Sequence, residues 1–179
     1  MKRDVVCICL YVFSGLLTAY LYQGVDLGKA GLILPGVIYI VATLVMFILT
    51  NTKIRRRDLG FYVITMLALY IVVYFATFYT MGIADISGII TCGLGSLLSF
   101  LLTEESIIRI KYNSFLIFLL GAGSFGLNDI LLQKDIAEVL RPVYNVKRDP
   151  LTMFAGAFFF WQSIVGIKLY LTVRSQNIA

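Results

Sequence analysis

Six long apolar stretches follow one another along the chain, separated by short polar segments. They cover residues 5–22, 30–50, 61–81, 84–102, 112–133 and 151–173. A helix needs about 20 apolar residues to cross the hydrocarbon core of a bilayer, and each stretch has about that length. Charged residues make up 14% of the chain, against about 25% in soluble domains. The sequence therefore predicts an all-α integral membrane protein, with six transmembrane helices in one bundle that forms a single domain, 1–179.

Basic residues concentrate in alternate connections of this six-helix arrangement. Ten of the 15 basic residues fall on the side that carries both chain ends, namely Lys2, Arg3, Lys53, Arg55, Arg56, Arg57, Arg109, Lys111, Lys168 and Arg174. Cytoplasmic loops of membrane proteins carry an excess of Lys and Arg. We therefore expect a multi-pass protein of the cytoplasmic (inner) membrane with both termini in the cytoplasm. The net charge of +5 is explained by this bias, and no nucleic-acid partner is expected.

Small residues recur on one face of the fourth predicted helix. Gly88, Cys92, Gly95 and Ser99 share an arc of about 100° when residues are placed at helical spacing. Lipid gives no reason to keep a face small, whereas the close approach of a second helix does. We therefore predict that this segment is the central helix of the bundle.

The fifth and sixth predicted helices carry further small residues that favour close packing. These are Gly121 and Ser124 in the fifth, and Gly156, Ser163 and Gly166 in the sixth. Glycine density at 123–126 is typical of either close packing or a break in the helix, and the sequence leaves both open. Trp161 and Lys168 fall on the other side of the sixth helix, so we expect them to face lipid or the interface.

Four polar residues are candidates for ligand binding: Asp85, Asn128, Asp129 and Gln162. Ionisable groups near the membrane boundary are costly unless they face protein or water, so they are candidates for function. Three of them have a structural alternative: Asp85 suits a helix N-terminus, Asp129 could simply reach the outer water, and Gln162 could bond a neighbouring helix. The functional interpretation is an outward-facing acidic pocket between helices 4, 5 and 6.

The connection at 134–150 is the longest, and its apolar residues repeat at helical spacing. Part of it is expected to lie as a short helix on the outer membrane surface. In the third predicted helix, Tyr70, Tyr74 and Phe78 form an aromatic stripe. Such a stripe usually serves packing or interfacial anchoring, and less often lines a ligand cage.

The sequence favours a solute-binding or transport subunit over an enzyme. An acidic outer mouth suits cations or amine-bearing solutes. Histidine is absent and the three cysteines are unpaired in spacing, so no metal, cofactor or catalytic residue is predicted. The alternative is a non-catalytic interaction protein, such as an assembly, immunity or defence-complex subunit. Beyond the lipid bilayer, the expected partner is another membrane subunit or a second copy of the chain.

Overall fold

The computed structural model describes residues 2–24, 33–52, 56–80, 85–131 and 150–177, and these are almost entirely helical. The helices are α1 (Lys2–Gly24), α2 (Leu34–Leu49), α3 (Arg56–Thr80), α4 (Asp85–Ser106), α5 (Ser114–Leu131) and α6 (Pro150–Asn177). The all-helical character predicted from the sequence is confirmed. The predicted surface helix in the connection at 134–150 lies outside the described residues.

Four of the helices are long and apolar enough to cross a membrane. The qualifying segments are Arg3–Leu21, Asp58–Thr77, Gly88–Ser106 and Gly156–Gln176. The other two apolar helices, α2 and α5, are shorter. The chain thus has the helices of a membrane protein, while six passes with both ends inside stay a prediction.

Consecutive helices pack side by side, and α6 returns against α1. The α1–α6 and α4–α5 pairs are the most extensive, and α6 also reaches α2 and α4. The helix with the most neighbours is α6, which contacts α1, α2, α4 and α5, whereas α4 contacts α3, α5 and α6. The prediction that α4 is the central helix is therefore wrong. Its small residues admit two close neighbours, α3 and α5, but this does not require a central position.

Local sequence explains where helices begin and end. Asn113 caps α5, because its Oδ1 accepts a hydrogen bond from the backbone N–H of Leu116 at 3.1 Å. Pro35 occupies the first turn of α2, where its missing N–H costs nothing. Just beyond the other end of α2, Asn51 adopts a φ of 54°, a left-handed conformation that asparagine tolerates better than most residues.

The start of α1 and the end of α6 lie together. Asp4 accepts a hydrogen bond from the Tyr170 hydroxyl, and its Oδ1 is 3.2 Å from Nε of Arg174. The side chain of Gln176 lies against the backbone of the α4–α5 connection at Lys111. The start of α1, the end of α6 and the α4–α5 connection therefore lie at the same end of the bundle.

Candidate functional site

The small residues singled out in the sequence lie where helices meet. All nine are buried: Gly88, Cys92, Gly95, Ser99, Gly121, Ser124, Gly156, Ser163 and Gly166. A Cβ added to Gly121 would lie 2.5 Å from the carbonyl oxygen of Cys92, and one added to Gly88 would overlap the ring of Phe125. The backbones of α4 and α5 therefore approach closely through these glycines.

The small residues of α6 were predicted to pack against α4 and α5, but they contact α5 and α1. A Cβ on Gly156 would meet the side-chain oxygen of Asn128 in α5, but one on Gly166 would meet the ring of Tyr11 in α1. The Ser163 hydroxyl likewise lies against Gly15 of α1. Spacing along one helix predicts which residues share a face, but not which helix that face meets.

Trp161 was predicted to face lipid or the interface, but it is buried. Its indole Nε1 donates a hydrogen bond to the carbonyl oxygen of Cys92 at 3.2 Å. The prediction failed because it allowed α6 only one packed face. With neighbours on several sides, α6 also buries its large residues.

Gln162 joins three helices. Its Nε2 donates to the carbonyl oxygen of Pro35 in α2 at 3.0 Å, and its Oε1 accepts from the Thr18 hydroxyl of α1 at 3.2 Å. These contacts match the structural alternative weighed for this residue, a polar link between neighbouring helices.

Of the four residues of the predicted acidic pocket, the structure describes the side chains of the two amides, Asn128 and Gln162. Asn128 is buried on α5 against Gly156, whereas the bonds of Gln162 run to α1 and α2. Asp85 begins α4 and Asp129 lies in α5, but their side chains are outside the described residues. The pocket between helices 4, 5 and 6 therefore stays a prediction.

Gly123 and Gly126 neither break α5 nor bring it into close contact with another helix. The helix runs without interruption through this region. A Cβ added to Gly123 or Gly126 would have no other atom within 4 Å. A break in the helix, one of the two possibilities left by the sequence, is therefore not found.

A groove opens between α3, α4 and α6. Four of its ten lining residues are aromatic, and the lining is Leu69, Tyr70, Val73, Tyr74, Thr77, Cys92, Gly95, Ala157, Phe158 and Trp161. Gly95, Cys92 and Ala157 leave room because their side chains are small. Cys92, which lines the groove, lies seven residues after the start of α4, or about 10 Å along the helix axis.

Two of the groove's walls come from the aromatic stripe noted in α3. Tyr70 and Tyr74 line the groove, while the side chain of Phe78 is outside the described residues. The ring centroids of Tyr70 and Trp161 are 5.4 Å apart in an edge-to-face arrangement. This contact is a packing contact, the role that the sequence favoured for the stripe, and a ligand cage stays a prediction.

Behind the groove lies a second cluster, the tyrosine core, formed by Tyr11, Tyr39, Tyr62 and Tyr70. All four side chains are buried. Tyr39 is central: its ring centroid lies 5.9 Å from that of Tyr11, 5.7 Å from that of Tyr70 and 5.3 Å from that of Trp161. The hydroxyl of Tyr11 donates to Thr43 at 3.3 Å. The sequence analysis missed this cluster, whose only signal was phenols inside apolar spans.

Within the described ranges no three His, Cys, Asp or Glu side chains are grouped so that they could hold a metal ion. Protein-family models, curated proteins and solved structures yield no match to this chain. The geometry of the groove is therefore the main guide to function.

Proposed function

We propose that this chain is a six-pass membrane protein, with both termini in the cytoplasm, that binds a small hydrophobic cation in the groove between α3, α4 and α6. The observation that carries the proposal is the aromatic lining by Tyr70, Tyr74, Phe158 and Trp161. Ligand pockets for small molecules are typically concave and mostly apolar, and this groove has both properties.

Two features favour a cation over an anion or a neutral solute. Aromatic faces attract cations through the ring quadrupole, with tryptophan the most effective. The acidic residues provide the second: six of the ten, among them Asp85 and Asp129, lie towards the expected outer side. A positively charged solute would be concentrated at such a mouth.

Trp161 allows binding to be measured directly, because it is the only tryptophan of the chain. Purified protein is titrated with tetraphenylphosphonium, and with tetraphenylborate as an anion of the same shape. We expect tetraphenylphosphonium to change the Trp161 emission with saturation, and at lower concentration than tetraphenylborate. Equal or absent responses would contradict the proposal.

A pair of glycine substitutions tests whether the groove is the site. Gly95→Leu places a side chain in the groove, whereas Gly123→Leu places it where no other atom lies within 4 Å. We expect Gly95→Leu to weaken binding at least about tenfold, or about 1.4 kcal/mol, and Gly123→Leu to leave it unchanged. Similar binding by both variants would place the site elsewhere.

One observation favours the interaction protein as a second candidate. Only four of the 20 residues in Asp58–Thr77 of α3 are buried, and Phe61, Ile64 and Val72 point outwards. Such a face suits either lipid or a second membrane subunit. Purification of a stable complex through α3, together with no binding of the cation, would favour this role.

A further inference from the structure

Two aromatic walls of the groove pack against a residue that does not line it. No residue of α2 is among the ten that line the groove. The ring centroid of Tyr39 in α2 nevertheless lies 5.7 Å from that of Tyr70 and 5.3 Å from that of Trp161, and the last two are 5.4 Å apart. The three rings therefore form a triangle of which only Tyr39 lies outside the groove lining.

The first turn of α2 restrains the same two walls. Gly36 lies against Tyr70, because a Cβ added to this glycine would be 3.0 Å from Cγ of the tyrosine. The carbonyl oxygen of Pro35 accepts a hydrogen bond of 3.0 Å from Nε2 of Gln162, the residue that follows Trp161. Both α2 residues are buried. One neighbouring helix thus holds a wall from α3 and a wall from α6.

The plane of the Trp161 ring depends on packing as well as on its hydrogen bond. The bond from Nε1 to the Cys92 carbonyl oxygen holds one edge of the indole. A single hydrogen bond does not fix the plane of a ring, because the directions from which a carbonyl oxygen accepts are broadly distributed. The rings of Tyr39 and Tyr70, inclined to the indole at 54° and 88°, restrict the plane further.

Ring orientation decides which charge the groove attracts. The face of an aromatic ring is negative and its edge is positive, and a cation is attracted when it lies over the face, within about 6 Å of the centroid. A wall that turned its edge to the groove would attract a cation less and an anion more. A side chain that fixes the walls therefore influences the charge preference without touching the solute.

We propose that Tyr39 is a positioning residue, which sets the preference of the groove for cations by holding the rings of Tyr70 and Trp161. The inference rests on the proposed binding of a hydrophobic cation in the groove. Tyr39 acts through its ring, so its hydroxyl is not required.

Substitutions of Tyr39 test this role in the full-length protein, with Trp161 emission as the signal. Tyr39→Leu removes the ring, and we expect tetraphenylphosphonium to bind about fivefold more weakly, the scale of one cation–π contact. Tetraphenylborate should bind no more weakly than before. Tyr39→Phe keeps the ring and should show the preference of the unmodified protein. Equal weakening of both ions by Tyr39→Leu would indicate a purely structural role and overturn the proposal.

Tyr62→Leu is the matched control for the loss of a buried ring. Tyr62 is as deeply buried as Tyr39, but its ring packs against Phe47, with the centroids 6.5 Å apart. We expect this variant to be less stable than the unmodified protein and to keep the ratio of the two affinities. A ratio changed as much as by Tyr39→Leu would contradict a specific role for Tyr39.

Gly36→Ala tests the same turn of α2 without removing a ring, and it decides the question if Tyr39→Leu does not fold. The added methyl group would press on Tyr70, so we expect a smaller preference for tetraphenylphosphonium. Gly60→Ala should leave the preference unchanged, since a Cβ there has no other atom of the described chain within 4 Å. An unchanged preference in Gly36→Ala would then overturn the proposal.

The emission anisotropy of Trp161 separates this proposal from the proposed function. In the ligand-free protein, we expect faster motion of the indole in Tyr39→Leu than in Tyr39→Phe or the unmodified protein. Equal binding of the two ions by the unmodified protein would contradict the proposed function. An anisotropy that Tyr39→Leu leaves unchanged would overturn the positioning role alone.

Discussion

Two glycines of α5, two residues apart, have opposite surroundings. Gly121 lies where α4 and α5 meet, and a Cβ there would come within 2.5 Å of the Cys92 carbonyl oxygen. That oxygen belongs to the backbone, so it cannot move aside as a flexible side chain could. Gly123 has open space around its Cα. The same residue type thus performs a packing role at one position and none at the other.

The substitutions Gly121→Ala and Gly123→Ala should separate these roles. We expect Gly121→Ala to destabilise the protein by about 1–3 kcal/mol, because α4 and α5 must move apart. Gly123→Ala should be neutral, or stabilising by up to about 1 kcal/mol, because alanine has the higher helix propensity. Thermal unfolding in detergent measures both. Equal effects would mean that α5 does not approach α4 as described.

At the scale of helices, α6 holds the bundle together through contacts that differ along its length. Near the start of α6, Gly156 lies against Asn128 of α5. In the middle, Trp161 donates a hydrogen bond to α4, and Gln162 is hydrogen-bonded to α1 and α2. Further along, Gly166 lies against the ring of Tyr11 in α1. No single periodic face could supply all of these contacts. This explains why the predicted arc of small residues on α6 described only part of its packing.

Replacing Gln162 should loosen three helices at once. Gln162→Leu keeps most of the volume but removes the bonds to Thr18 and Pro35, so we expect a loss of about 1–2 kcal/mol. Thr65→Val is the control, since the Thr65 hydroxyl bonds only carbonyls of its own helix, and its effect should be below about 0.5 kcal/mol. A Gln162→Leu variant with the same free energy of unfolding as the unmodified protein would show that the polar link makes no net contribution to stability.

For the whole molecule, sequence and structure agree at the level of class and differ in arrangement. Hydropathy predicted the apolar helices because their length and composition are set locally. The centrality of α6 and the burial of Trp161 depend on which helices meet, and residue spacing within one helix carries no such information. The tyrosine core was equally hidden, because its four phenols come from three helices.

The membrane topology is the whole-molecule prediction that most needs a direct measurement. In a background without Cys7, Cys9 and Cys92, single cysteines are placed at Lys29, Arg56 and Ser175. With an impermeant maleimide, we expect Lys29→Cys to react in intact cells, and Arg56→Cys and Ser175→Cys only in inside-out vesicles. Labelling of the last two from opposite faces would rule out the six-pass arrangement with both termini inside.

The length of α2 has a consequence for the surrounding lipid. With 16 residues, α2 is about 24 Å long, whereas a typical hydrocarbon core is about 30 Å thick. A bilayer that surrounds the protein would have to thin beside this helix, at a modest cost for each ångström of mismatch. The protein should therefore draw shorter acyl chains to α2.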